Sequence, residues 1–482
     1  MSDGSNDLLS RLQQLQSRFT WDLQGKDLDL ENLSTRLQEH IDLQLGSSSA
    51  LARTFSFLAY VRYLQGQPEM GLPLLSQAEQ KIRECHGGES ERRLIVAYGD
   101  LAWFKYHTGD QTEAHAYCQK VQDILSKHPT GSPAVLHPEV YGEKAWTYFK
   151  FSRSYYPEAI DLFLKALELQ PDDSEWNAGY AIALYRTEER VTETPENVED
   201  SPVVRQLRRA LEINPDDGVL LTILALKQKA CGNHQEAEGL VERALKIAPD
   251  NPHVMRYIGK YLRIQGENDR SIDLLKRALK KSPSAFIHHQ LGMSYKKMKI
   301  SEQMCRPSNR QKVQEWRRQS IHHLEEALKM KPLFFLALAD LALMVGEERD
   351  FSRAEELFKH GLEMLPKLSE KSLCQVFYQR YGDFHFYHTI SEAHAITNYI
   401  QVVQMTPNTW EWKQGAKNLK KIAERRLKED EDDGQAYALL AQVAKAEGHK
   451  KKAEDLYEKA LDCDKNNTEY LSALCELRLE LQ

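Results

Sequence analysis

Two consecutive stretches of the chain repeat one pattern at a spacing of 34 residues, and this constrains the fold more than any other feature. Leu224-Ala225, Gly232, Ala237, Ala244 and Pro249 are answered by Ile258-Gly259, Gly266, Ser271, Ala278 and Pro283. A large residue next to a small one on a first helix, a turn glycine, small residues on a second helix and a closing proline describe a helix–turn–helix unit. One such unit cannot bury its apolar face alone, so copies must stack. Within HVMRYIGKYLR (residues 253–263), Met255, Ile258, Gly259 and Leu262 take the core positions. Arg256, Lys260 and Arg263 follow at i, i+4 and i+7 on the face turned to the concave side. No Asp or Glu occurs between Asn251 and Gly266, although the whole chain carries 64 Lys and Arg against 71 Asp and Glu. A cluster of one sign set against the overall balance points to an anionic partner.

This is the tetratricopeptide signature, and degenerate copies of it recur along the chain. The expected fold is all-α: a tetratricopeptide-repeat superhelical solenoid of about nine helix–turn–helix repeats plus extra helices, curled around a basic central groove. Five regions are expected: N-terminal helices at 1–48, a first array at 49–283, a second array at 284–407 with a basic insert at 298–313, a basic helix with an acidic linker at 408–433, and a last repeat with a capping helix at 434–482. Strand signals are scarce, whereas windows rich in Ala, Leu, Glu, Lys and Gln keep a helical period.

Several classes are disfavoured. The opening MSDGSNDLLSRL lacks the basic-then-apolar order of a secretory signal, and no run approaches the ~20 apolar residues that cross a bilayer. A cytoplasmic protein with no membrane partner is expected. The seven cysteines stand singly with no CxxC pair, which fits reduced thiols better than disulfides or a zinc site. No GxGxxG, P-loop, GxSxG or HExxH motif is present, so neither catalysis nor a cofactor is expected. His288-His289 and His322-His323 are the most metal-like feature. Adjacent histidines point to different faces of a helix, however, so one of each doublet is expected in the core and no metal site is assigned.

Other positions gather interest in chain order. Leu30, Leu33, Leu37 and Ile41 mark the buried face of an early helix, which leaves Asn32, Arg36 and His40 one turn apart on another. A third repeat carries Trp146 and Lys150 on its first helix and Tyr156 at its turn. WNAGYAIALYR ends in Arg186, ahead of an acidic loop at 187–202. From Trp410 to Lys428, the cations Lys413, Lys417, Lys420, Lys421, Arg425 and Lys428 form a basic stripe. Cations beside aromatic rings are the pairing that single-stranded nucleic acid requires. The competing reading is a scaffold that docks a peptide in its groove, the commonest task of such repeats. Chaperone-tail clamps of this type place Asn where Lys260 stands, and the cation surplus exceeds what one peptide carboxylate needs.

FTWDLQGKDLDL (19–30), AWTYFKFSRSYYPEA (145–159), GYAIALYR (179–186), VMRYIGKYLR (254–263), FIHHQLGMSYK (286–296) and LSALCELRLEL (471–481) resemble the interferon-induced proteins with tetratricopeptide repeats, in order and spacing over essentially the whole length. The resemblance implies a cytoplasmic innate-immune antiviral protein that holds the 5′ end of single-stranded RNA, as a triphosphate or a cap, in a basic tunnel and so sequesters viral transcripts. It implies RNA contacts at Trp146, Lys150, Tyr156, Arg186, Arg256, Tyr257, Lys260, Arg263, Phe286, His289 and Gln290, with Lys420, Lys421 and Arg425 as phosphate contacts. Arg36 matches some members, and His40 replaces a polar residue, often Gln. Asp383 is an acid where a base is expected, which implies a weaker tunnel wall. Tyr457 and Leu461 resemble a Y-x-x-x-L pattern that some members use to pair, so homo- or hetero-oligomers with family members are expected.

Overall fold

The computed structural model describes residues 2–23, 30–132, 135–188, 201–367 and 371–480. Among these residues there is no strand, and helices follow one another in antiparallel pairs. They form two compact units, the first from residues up to 188 and from 201 to Tyr257, the second from Ile258 onward. The division falls inside the helix Pro252–Gln265, so Arg256 and Tyr257 close the first unit while Lys260 and Arg263 open the second.

In the first unit the pairs include Ser48–Leu64 with Gly71–His86, Ser90–His107 with Gln111–Lys127, Pro138–Phe151 with Tyr156–Leu169, and Gly218–Ala230 with His234–Ile247. Capping fixes where these helices begin. Ser47 accepts a hydrogen bond from the Ala50 amide at 3.0 Å, and Asp173 accepts one from Trp176 at 2.9 Å. Small residues let the pairs close up: a Cβ added at Gly179 would sit 2.4 Å from the Phe163 ring and 2.9 Å from Trp146. Gly266 turns between the two helices of its pair with φ +92°, a conformation only glycine takes without strain.

Residues 253–263 behave as their register requires. Met255, Ile258, Gly259 and Leu262 are buried, whereas Arg256, Lys260 and Arg263 stay partly exposed. The acidic loop lies almost wholly outside the described residues, apart from Glu188, which pairs with Lys227 at 2.7 Å.

In the second unit the 298–313 insert is helical except at 305–309, where the chain passes from one helix to the next. It lengthens both members of one pair, Ala285–Met304 and Arg310–Met330, because their exposed ends tolerate polar residues on all sides. Within it Lys299 is buried against Glu347, which Arg317 also approaches at 3.8 Å. The basic helix runs Trp410–Glu429 from a Thr409 cap, and the last pair, Gly434–Ala446 with Lys450–Cys463, is closed by Thr468–Leu479.

One buried ion network ties the N-terminal segment to the first unit. Arg18 is fully buried and its guanidinium pairs with Asp100 and Glu143. Asp100 also accepts the Ser17 hydroxyl at 2.7 Å and the Arg18 amide at 2.9 Å. Removing one partner strands a charge in the interior, which costs about 3–5 kcal/mol. Asp100→Asn should therefore lower the unfolding free energy by roughly that amount in chemical denaturation. A loss below ~1 kcal/mol would show that the network does not anchor the segment.

Candidate anion-binding site

The first unit gathers cations from several helices, two of them against one aromatic ring, Trp146. Arg36 and His40 come from the helix Leu30–Asp42, and Lys150 lies one turn after Trp146 on Pro138–Phe151. Arg186 ends Ser174–Thr187, and Arg256 lies in the first half of Pro252–Gln265. Arg53, buried on Ser48–Leu64, joins them: its guanidinium carbon sits 5.0 Å over the Trp146 ring, and the Lys150 ammonium lies 5.8 Å from the same ring. His40 and His253 face each other with ring centroids 5.5 Å apart.

The electrostatics record the crowding. Burial, then the charges of Arg53 and Arg36, push the Lys150 ammonium down to about 7 against weaker support from Glu143 and Glu175. His40 is pushed down to about 3 by burial and by Lys150, Arg36 and Arg53. His253 falls well below its ordinary value through burial, Arg256, His40 and Arg186. Arg36 keeps an exposed side chain, yet the surrounding protein and the charges of Arg186 and Arg256 hold it below the usual guanidinium value. Both histidines are thus neutral at pH 7 and the remaining cations repel one another. Near an effective dielectric of 20, an anionic oxygen ~4 Å from one such cation gains about 4 kcal/mol before desolvation.

The aromatic residues play different parts. Tyr156 is buried, and its hydroxyl accepts a hydrogen bond from Arg186 Nη1 at 3.2 Å while Arg186 stacks 4.7 Å from Phe149. Tyr156 therefore acts through its hydroxyl and offers no open face for a base. Arg256 lies 4.9 Å over Tyr257, whose ring meets Tyr185 edge-on at 6.4 Å. Trp146 retains partial exposure.

The second unit holds a separate polar group. Asp340 accepts hydrogen bonds from Arg380 Nε at 3.1 Å, Lys296 at 3.2 Å and His289 Nε2 at 3.2 Å. Burial pushes its carboxyl up, but Lys296, Arg380 and His289 outweigh this and hold it well below the usual range. His289 is accordingly committed to a carboxylate inside the protein and is no free nucleic-acid contact. Arg263 donates to Gln290 at 3.1 Å, and Phe286, 40% exposed, packs on Phe334. Lys260 is partly exposed.

Three cations of the basic stripe already have partners within the protein. Lys420 pairs with Glu447 at 2.6 Å, Arg425 with Glu392, and Lys421 lies 5.4 Å over Phe386. Helical spacing alone does not show acids contributed by neighbouring helices. Asp383 is partly buried and accepts the Tyr399 hydroxyl at 2.8 Å and a Gln379 amide at 2.5 Å, while burial pushes its carboxyl up. Both histidines of the first doublet, His288 and His289, are buried, contrary to the expectation of one; in the second, His323 is buried and His322 exposed. His288 and His323 meet at 3.0 Å.

Sequence reasoning missed Arg53, His253, Lys296, Asp340 and Arg380. Arg53 and His253 carried a usable signal. Each precedes the small core residue of its repeat, Ala59 or Gly259, by the same interval, one turn before the register position of Arg256. Asp340 carried none, because its partners come from other helices.

A basic group held low is neutral in the free protein above about pH 7 and is recharged by a bound polyanion. Binding of inorganic triphosphate at pH 8 should therefore take up close to one proton, and affinity should fall by up to ~tenfold per pH unit as pH rises past 7. Calorimetry in buffers of different ionisation enthalpy reads this uptake, and Lys150→Met should remove most of it. Zero uptake by the wild-type protein would be incompatible with this arrangement.

Tetratricopeptide repeat models match residues 225–286 and 434–467. The human antiviral innate immune response effector IFIT1 is 33% identical over 457 residues, 93% of this chain and 94% of that protein. Mouse interferon-induced protein with tetratricopeptide repeats 2 is 30% identical over 450 residues, 90% of each. Among solved structures, the human IFIT1 dimer with PPP-AAAA superimposes with a TM-score of 0.80 at 31% identity, over 94% of this chain and 99% of that one. The dimer with m7Gppp-AAAA gives 0.83 at 32% identity, over 95% and 99%. Sequence and fold agree over nearly the full length, and the chain belongs to the family of interferon-induced proteins with tetratricopeptide repeats, antiviral RNA-binding effectors.

Proposed function

We propose that this protein captures the phosphorylated 5′ end of single-stranded RNA in the basic pocket of its first unit, and so sequesters non-self transcripts in the cytoplasm. One observation carries this reading: Arg36, Arg53, Lys150, Arg186 and Arg256 come from five helices into one electrostatic neighbourhood, where burial and then the charges of Arg53 and Arg36 drive Lys150 down to about 7. Only a polyanion relieves such crowding, and a 5′-triphosphate concentrates charge at the scale of the pocket. Human IFIT1 holds single-stranded RNA with triphosphate and capped ends on the same fold. Charge-assisted bonds to phosphate fix the end of the strand without reading its bases. Recognition then depends on the terminus and not on sequence, and the cycle contains no chemical step on the RNA.

Self-association belongs to the same proposal. Human IFIT1 forms a dimer, and here Leu461 on Lys450–Cys463 is partly exposed, whereas Tyr457 is buried in the pair and unavailable to a partner.

Arg256→Glu or Lys150→Glu should abolish binding of 5′-triphosphate single-stranded RNA without unfolding the protein. Wild-type binding should weaken with salt by a log–log slope near −0.7 per phosphate neutralised. Near-wild-type affinity of either variant at low salt would refute the site. Protein purified free of RNA, with a low 260/280 absorbance ratio and no affinity for added RNA, would favour a peptide-docking scaffold instead.

A further inference from the structure

On the reading of the pocket as an RNA 5′-end site, Trp146 is a partly exposed ring among the gathered cations and so a seat for the base of a cap. A methylated guanine carries positive charge, and its natural seat is an open aromatic face. The ring is held in place from the side: Phe163 meets it at a right angle with centroids 5.3 Å apart, and Gly179 leaves its edge no slack. Its face, however, is already engaged by Arg53 at 5.0 Å.

Arg53 is pinned there. It is buried, and its Nη1 donates to Glu175 Oε2 at 3.0 Å. Glu175 is itself held by the Ser47 hydroxyl and by Ser49 Oγ at 3.4 Å. Behind Arg53 the interior offers a cavity of about 30 Å³, lined in part by Ser56, Glu139, Glu143 and Trp176. That is room for one or two water molecules, not for a withdrawn guanidinium. A cationic base entering the pocket would have to break the Arg53–Glu175 pair and then lie among like charges, with Lys150 beside it. A free triphosphate meets the opposite situation. It has one more ionisable oxygen than a capped bridge, and Arg53 adds a cation to those around it, with a buried Nε that has no partner inside the protein.

We propose that Arg53 sets the end preference of this protein: seated on Trp146, it selects an uncapped 5′-triphosphate over a methylguanosine-capped end. This rests on the reading of the pocket as an RNA 5′-end site, and assigns that site one of the two ligands its relatives accept.

The test is the affinity of one short RNA carrying a 5′-hydroxyl, a 5′-triphosphate or an m7Gppp end, measured for the wild-type protein, Arg53→Ala and Arg53→Gln. The wild-type protein should favour triphosphate over m7Gppp by at least roughly tenfold, the scale of one desolvated cation–π contact. Arg53→Ala should weaken triphosphate binding and tighten m7Gppp binding, closing or reversing that gap. Arg53→Gln keeps most of the side-chain volume without the charge and serves if the alanine variant does not fold. Equal wild-type affinity for the two ends overturns the proposal, as does an Arg53 variant that weakens both ends to the same degree. So does quenching of tryptophan fluorescence by the bridged cap dinucleotide m7GpppA, which has no free triphosphate, at the concentrations at which triphosphate RNA binds. Strong RNA binding with the cap favoured leaves the pocket reading standing and removes only the role of Arg53, whereas no preference for any phosphorylated end over the hydroxyl removes both.

Discussion

Mutual repulsion of crowded cations is the interaction on which the candidate site depends. Burial and the charges of Arg53 and Arg36 disfavour the charged form of Lys150, and burial with Arg186 and Arg256 disfavours that of Arg36; left to themselves these cations would move apart. They stay together because each is rooted in a different helix whose position is set by apolar packing. Ala59, Ala145, Ala183 and Ile258 are all buried beneath the polar side chains. The helix pairs therefore hold the pocket in a state of raised electrostatic free energy, which an anion then lowers. Preorganisation of this kind turns repulsion in the free protein into affinity for a polyanion.

The same scaffold treats charge differently elsewhere. In the second unit Asp340 gathers Lys296, Arg380 and His289, and further along Glu447 and Glu392 meet Lys420 and Arg425. These cations are satisfied within the protein. The contrast between cations that each meet a carboxylate and a group in which Lys150 is pushed down by its cationic neighbours separates the candidate site from other basic surface better than the number of Lys and Arg does. A compensated pair offers a ligand little, since the ligand must compete with a carboxylate already in place.

Some of the site was legible in the chain and some was not. The helical register exposed Arg256, Lys260 and Arg263, because a 3.6-residue period assigns faces without knowledge of neighbours. The family resemblance supplied Trp146, Lys150, Tyr156 and Arg186. Register did not reveal that Arg53 lies on Trp146, because the two residues stand on different helices and their approach depends on how the pairs stack. It also presented Lys420 and Arg425 as a bare stripe, since Glu447 and Glu392 lie on other helices. The insert at 298–313 interrupts the repeat rhythm in sequence, yet it continues the helices, because an exposed helical extension needs no apolar period.

What the sequence by itself determined is the all-α repeat: the spacing of Ala225 and Gly259, the turn glycines and the closing prolines are local signals, set by helix geometry and the need of each unit to stack. What only the tertiary structure decided is which charges are neutralised and which are not, and that Arg53 occupies the face of Trp146. Coulomb energy and ring stacking depend on distances across helices, and no local period encodes those distances.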